Sequence, residues 1–190
     1  MLVFFIFSFA LGGIPSAYVI SKLFYGIDIR QHGSGNPGAT NVWRVVGKKP
    51  AAMTFAFDVI KGLLPVIIAK SYFTGSSGTV PIICGFCAVA GHIWTPFLNF
   101  KGGKGVATGF GVFLGLAPVP VIFALAVFCV FLYATKLVAI GSIAAALSLP
   151  VFLYLFKMPA KIIAIALVLA AIVVWRHKSN IKNILSKKSD

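Results

Sequence analysis

Glutamate is absent from this 190-residue sequence, and aspartate occurs only at Asp28, Asp58 and Asp190. Against them stand 17 lysines and arginines, giving a formal net charge of +14. So few carboxylates, far apart in sequence, argue against Mg²⁺-dependent phosphotransfer, which gathers several acidic ligands at one point. Cysteine is scarce as well: there are three, an odd number. Cys84 and Cys87 form a C-x-x-C inside an apolar run, where buried thiols are expected rather than a redox or zinc site. No Walker A loop is present. The spacing G-x-x-x-x-G-A-T at Gly33–Thr40 comes near one, but Ala39 stands where the lysine belongs and no strand is expected before it.

What the sequence has is grease. Hydrophobic residues make up 59% of it and mean hydropathy is +1.00, so the solvent to consider is a lipid bilayer. Apolar runs fall at 2–23, 51–73, 79–98, 105–117, 119–135, 137–156 and 159–175. A helix rises about 1.5 Å per residue and must cross about 30 Å, which six runs approach and 105–117 does not. Pro118 and Pro120 break the 31 residues of 105–135 into two spans, the first short. The expected fold is therefore all-α and polytopic, about seven transmembrane helices in one domain over 1–190, with no cleavable signal. Seven spans put loops 24–50 and 99–104 and the tail 176–190 on one face, which, with Lys22 and Lys136 at its edge, holds 13 of the 17 basic residues. The positive-inside rule then places the N-terminus outside and the C-terminus in the cytoplasm. Basic residues confined to short loops point to membrane lipids and anionic substrates, not nucleic acid. The end, "SKKSD", reads as solvated.

Three polar islands share the expected cytoplasmic face. In the first, Gly33–Arg44, Gly33, Gly35 and Gly38 allow tight turns, and Thr40 or Asn41 is placed to cap a short helix carrying Arg44. In the second, Gly102, Gly103 and Gly105 open a helix whose unpaired N–H groups and dipole suit phosphate, with Lys101 and Lys104 adding full charge. Snorkelling lysines at a membrane edge would need no such glycines. In the third, Trp175–Asn183, His177 and Asn180 share a face three residues apart on a helical continuation. Within the membrane, Asp58 and Lys61 are spaced to pair, or to line the site; His92 and Ser142 lie where they either floor it or bond between helices.

The chemistry open to such a set is narrow. The residues five beyond His32, His92 and His177 are Pro37, Phe97 and Lys182, so the His-x₄-Asp pair of soluble-type and acyl-CoA-dependent glycerolipid acyltransferases is missing. No G-x-S-x-G elbow appears and no cysteine has an activating neighbour in sequence, so no covalent acyl-enzyme is expected. A cationic, glycine-rich pocket open to lipid suits an activated acyl donor that brings its own charge and leaving group.

The stretches "SGNPGATNVWR" (34–44), "GHIWTPFLNFKGGKGVAT" (91–108) and "WRHKSNIKN" (175–183) closely resemble the three signatures of the bacterial membrane acyl-phosphate:glycerol-3-phosphate acyltransferases, the PlsY family. Pro37 is a minor departure. The resemblance implies acyl transfer from a fatty acyl phosphate to glycerol 3-phosphate, giving lysophosphatidic acid for phospholipid synthesis at the bacterial inner membrane, without a cofactor. It assigns catalysis to Arg44, Lys104, His177 and Asn180. Substrate binding falls to Ser34, Gly35, Asn36, Thr40, Asn41, Lys101, Gly102, Gly103, Gly105 and Thr108; Lys61, His92 and Ser142 join them as contacts on the intramembrane polar reading alone, with a structural role as the alternative. The base is either His177 or a substrate phosphate oxygen, with His32 beside the first motif. Asn180 or Asn36 stands ready to stabilise the oxyanion. An anion transporter or channel is the rival reading, and a noncatalytic lipid-binding scaffold a third; against transport, the outward half of the sequence is poor in polar residues.

Overall fold

A chain in lipid must satisfy its own backbone, and a helix does so locally. The computed structural model describes residues 1–73 and 78–186, and every regular element among them is helical, in keeping with the expected all-α class. Of the solvated end expected at 186–190, everything past Ser186 lies outside the described residues. The chain divides into two compact units, Met1–Leu116 and a second beginning at Ala117.

The first unit holds α1 (Leu2–Gly13), α2 (Ser16–Tyr25), α3 (Ala39–Val45), α4 (Lys48–Tyr72), α5 (Thr79–Ile93) and α6 (Val106–Leu116). The run 2–23, expected to be continuous, is broken and bent by 43° between α1 and α2. Pro15 explains it: proline lacks an N–H and forces the residue before it out of the helical region, and Ile14 is extended, at φ −56° and ψ 118°. Loop 24–50 is likewise not all loop, since a 3₁₀ turn (Ile29–Gln31) and α3 lie within it. α1 and α5 begin together, with Phe4 and Phe5 beside Val80 and Cys84. They end together too, where Thr95 Oγ1 donates to Gly13 O at 2.6 Å. α4 runs the other way, so that Val66 meets Gly85 and Asp58 meets His92.

Close helix approach here depends on bare backbone. A Cβ on Gly12 or Gly91 would overlap the Ala88 or Phe9 carbonyl across the α1–α5 contact; on Gly62 or Gly111 it would overlap the Thr108 or Val59 carbonyl between α4 and α6. Small residues substitute for the hydrophobic driving force that lipid does not supply between helices.

The second unit holds α7 (Pro118–Thr135), α8 (Val138–Leu155), α9 (Ala160–Arg176) and α10 (Lys178–Ser186), with α8 packed on both α7 and α9. α6 and α7 part at Ala117, as the prolines predicted, with Pro118 opening α7. The third island is not a straight continuation of the last span: α10 leaves α9 at 49°. Among the described residues, four helices are long and apolar enough to cross a bilayer, and up to six if each bent pair counts as one. α6 is apolar but has 11 residues, roughly 16 Å of helix.

Candidate active site

The first island is a loop stapled from within. Asn41 is 2% exposed, and its side chain accepts from Ser34 N (2.9 Å) while donating to Ile29 O (3.1 Å) and His32 O (3.0 Å). Its amide is therefore spent on the chain. Gly33 sits at φ +61°, and a Cβ there would collide with Asn41 Oδ1. Neither Thr40 nor Asn41 caps α3, contrary to the expectation; Gly38 holds that position, with no side-chain bond. Val42 on the underside packs with Ala17, Ile29 and Ala51. Thr40 and Arg44, one turn apart, consequently face outward and exposed. Arg44 has no hydrogen bond or ion pair among the described residues, in contrast to Arg30, whose guanidinium clamps Asp28 at 2.9 and 2.7 Å. That clamp holds the Asp28 carboxyl down at about 2. Ser34, Asn36 and Gly35 (φ +69°) complete the rim, Asn36 N lying 3.5 Å from Ser34 Oγ.

The second island is anchored on the end of α5. Thr95 organises it: the hydroxyl donates to Gly13 O and accepts from Phe97 N (3.3 Å), and the carbonyl accepts from Phe100 N (2.9 Å). Asn99 and Phe100 both adopt positive φ, 50° and 59°, a costly conformation for a bulky side chain. The chain then drops back, Gly102 N donating to Ile93 O (3.0 Å) and Gly103 N to His92 O (3.2 Å). This corrects the sequence reading of these two glycines. Their N–H groups are turned to α5, and their missing side chains make room for His92, whose carbonyl and ring a Cβ would strike. Gly105 (φ +82°) turns the chain into α6. Lys101 is exposed and Lys104 half-buried. Thr108 is fully enclosed against Gly62 of α4, its hydroxyl without a partner among the described residues, so it faces helix rather than solvent.

Beneath the loop lies a buried polar cluster. Asp58 Oδ1 takes Ser16 Oγ (2.5 Å) and Lys61 Nζ (2.7 Å), with His92 Nδ1 at 3.6 Å. Lys61 also donates to Ile14 O (2.8 Å), one of the carbonyls freed where α1 breaks. The expected Asp58–Lys61 pair is thus formed, and its partners tie it to structure. Asp58 stands ten residues into α4, roughly 15 Å from the α3 end. Ser16 and Thr95 escaped the sequence reading; the only hint was a hydroxyl beside a proline, Pro15-Ser16 and Thr95-Pro96, where a helix breaks and frees a carbonyl.

In the second unit, Ser142 is buried one turn inside α8. His177, 3% exposed, ends α9, and its carbonyl accepts from Ile181 N at 3.0 Å to start α10, which carries Asn180 in its first turn. His177 Nδ1 is 2.8 Å from Val173 O. A carbonyl only accepts, so Nδ1 bears a proton, and a neutral ring has its lone pair on Nε2.

The profile of the family described as "Glycerol-3-phosphate acyltransferase" matches residues 2–187. Similar proteins include a glycerol-3-phosphate acyltransferase of Prochlorococcus marinus, 44% identical over 94% of this chain and 88% of the relative. Another, from Fusobacterium nucleatum, is 41% identical over 96% of this chain and 93% of its own. A crystal structure of PlsY, an integral membrane glycerol 3-phosphate acyltransferase in its glycerol 3-phosphate form, matches with TM-score 0.93 at 38% identity, covering 98% of this chain and 92% of that one. The lysophosphatidic acid form of PlsY matches at 0.91. The chain, an all-helical integral membrane protein, belongs to the glycerol-3-phosphate acyltransferase family.

Proposed function

We propose that this protein transfers a fatty acyl group from an acyl phosphate to a hydroxyl of glycerol 3-phosphate, releasing lysophosphatidic acid and inorganic phosphate. One observation supports the reading above others. Arg44 is presented bare and exposed on a helix whose loop is fixed by Asn41, in a family named for a phosphorylated acceptor. Arg44, Lys104 and Lys101 hold the phosphates, with the free N–H groups at the start of α6 beside them. Ser34, Asn36 and Thr40 line the rim; Gly35 and Asn41 shape it. Gly102, Gly103 and Gly105 set the path of the lysine loop.

The substrate oxygen bonds to the acyl carbon, the carbon–oxygen bond to phosphate breaks, and phosphate leaves with its electron pair. His177 Nε2 takes the hydroxyl proton, with a substrate phosphate oxygen as the rival acceptor, and Asn180 donates to the developing oxyanion. Loss of most of kcat in His177→Ala supports the histidine; retention assigns the proton to phosphate. The units serve one acyltransferase domain, spanning the bacterial inner membrane about seven times with the N-terminus outside and the site facing the cytoplasm. The asymmetry of basic residues supports that orientation.

The test supplies purified protein with labelled glycerol 3-phosphate and palmitoyl phosphate, and palmitoyl-CoA in a parallel tube. Lysophosphatidic acid from the first tube alone is expected. Product from palmitoyl-CoA alone refutes the donor, and none from either refutes the activity.

A further inference from the structure

His92 does nothing in the chemistry just described, yet both edges of its ring face a neighbour. Ser16 from α2 and Lys61 from α4 fix Asp58, and Lys61 is itself fixed by Ile14 O. Asp58 Oδ1 faces the Nδ1 edge of the imidazole at 3.6 Å. The opposite edge, Nε2, occupies the place a Cβ of residue 103 would need. The main chain of the same turn adds two bonds, Gly103 N to His92 O and Gly102 N to Ile93 O. The ring is therefore a spacer between a buried carboxylate and the turn that carries Lys104.

We propose that His92 is a positioning residue: its imidazole, braced by Asp58, sets the depth of the Gly102–Lys104 turn and thereby the affinity for the phosphorylated acceptor. The proposal rests on the acyltransferase reading above. A residue that only filled the core would change stability when altered. A spacer beneath a binding loop changes KM, because small displacements of a charged contact weaken binding steeply. The glycine at 103 follows from the same geometry, since only a residue without a Cβ fits against the ring.

The test is a double-mutant cycle in the full-length purified chain, with kcat and KM for glycerol 3-phosphate at saturating palmitoyl phosphate. Gly103→Ala drives a methyl into the ring and is expected to raise KM by at least about tenfold. His92→Asn retains an amide N–H where Nδ1 lies, keeping the approach to Asp58 and the fold, but removes the Nε2 edge. In that background the alanine has room, and kcat/KM recovers by at least about fivefold relative to Gly103→Ala alone. Additive effects in an active enzyme overturn the spacer role, as does a loss confined to Tm with KM unmoved. If the unaltered protein makes no lysophosphatidic acid at all, the acyltransferase reading falls and takes this inference with it.

Discussion

Asn41 and Arg44 sit three residues apart on α3, and the structure separates their tasks. Asn41 spends its amide on three backbone groups, whereas Arg44 carries its charge into the open. Asn41→Ala leaves buried backbone groups unpaired at about 1–3 kcal/mol for each one that water does not reach, so its Tm falls measurably along with activity. Arg44→Ala should leave Tm unchanged while kcat/KM drops by about 10²–10³, with lysine restoring only part, because a point charge does not replace the planar fork. If both variants lose stability equally, Arg44 is structural. The sequence marked both residues but could not divide their roles, since Asn41's partners are defined only once the loop closes. Asp58 and Lys61 were legible as a pair because three residues apart on a helix guarantees proximity. Ser16 and Thr95 were not, because their partners lie 42 and 82 residues away.

Among elements, the sequence foretold most helices but not the break within 2–23. Hydropathy registers composition, and Ile14-Pro15 is as apolar as what surrounds it; the lost backbone bonds there are visible only through the Lys61 and Thr95 side chains that replace them. The glycines of α6 were equally silent in composition, and they differ in use. A Cβ on Gly111 strikes the Val59 carbonyl of α4, while one on Gly109 meets nothing within 4 Å. Gly111→Ala should therefore cost about 1–3 kcal/mol through overpacking. Gly109→Ala should be neutral or gain up to about 1 kcal/mol from helix propensity. Thermal unfolding in detergent checks both, and equal shifts would contradict the α4–α6 contact. The two glycines at 102 and 103 were legible as significant, but their packing against His92 was not, because that contact forms only once the turn folds back on α5.

For the whole molecule, scarcity of acidic residues and excess of basic ones meet exposed apolar side chains such as Phe7, Val130 and Leu155. That combination belongs to a protein embedded in lipid. The fold class was readable from the sequence because lipid permits so few backbone solutions. Catalysis is proposed to be a single displacement, in which cationic side chains hold a donor and an acceptor that both carry phosphate. Its most direct test counts products from labelled palmitoyl phosphate: inorganic phosphate released against lysophosphatidic acid formed, with and without glycerol 3-phosphate. One phosphate per lysophosphatidic acid, and no label retained on the protein when the acceptor is withheld, is the predicted result. Stoichiometric phosphate release with palmitate bound to the protein in the absence of acceptor would contradict it.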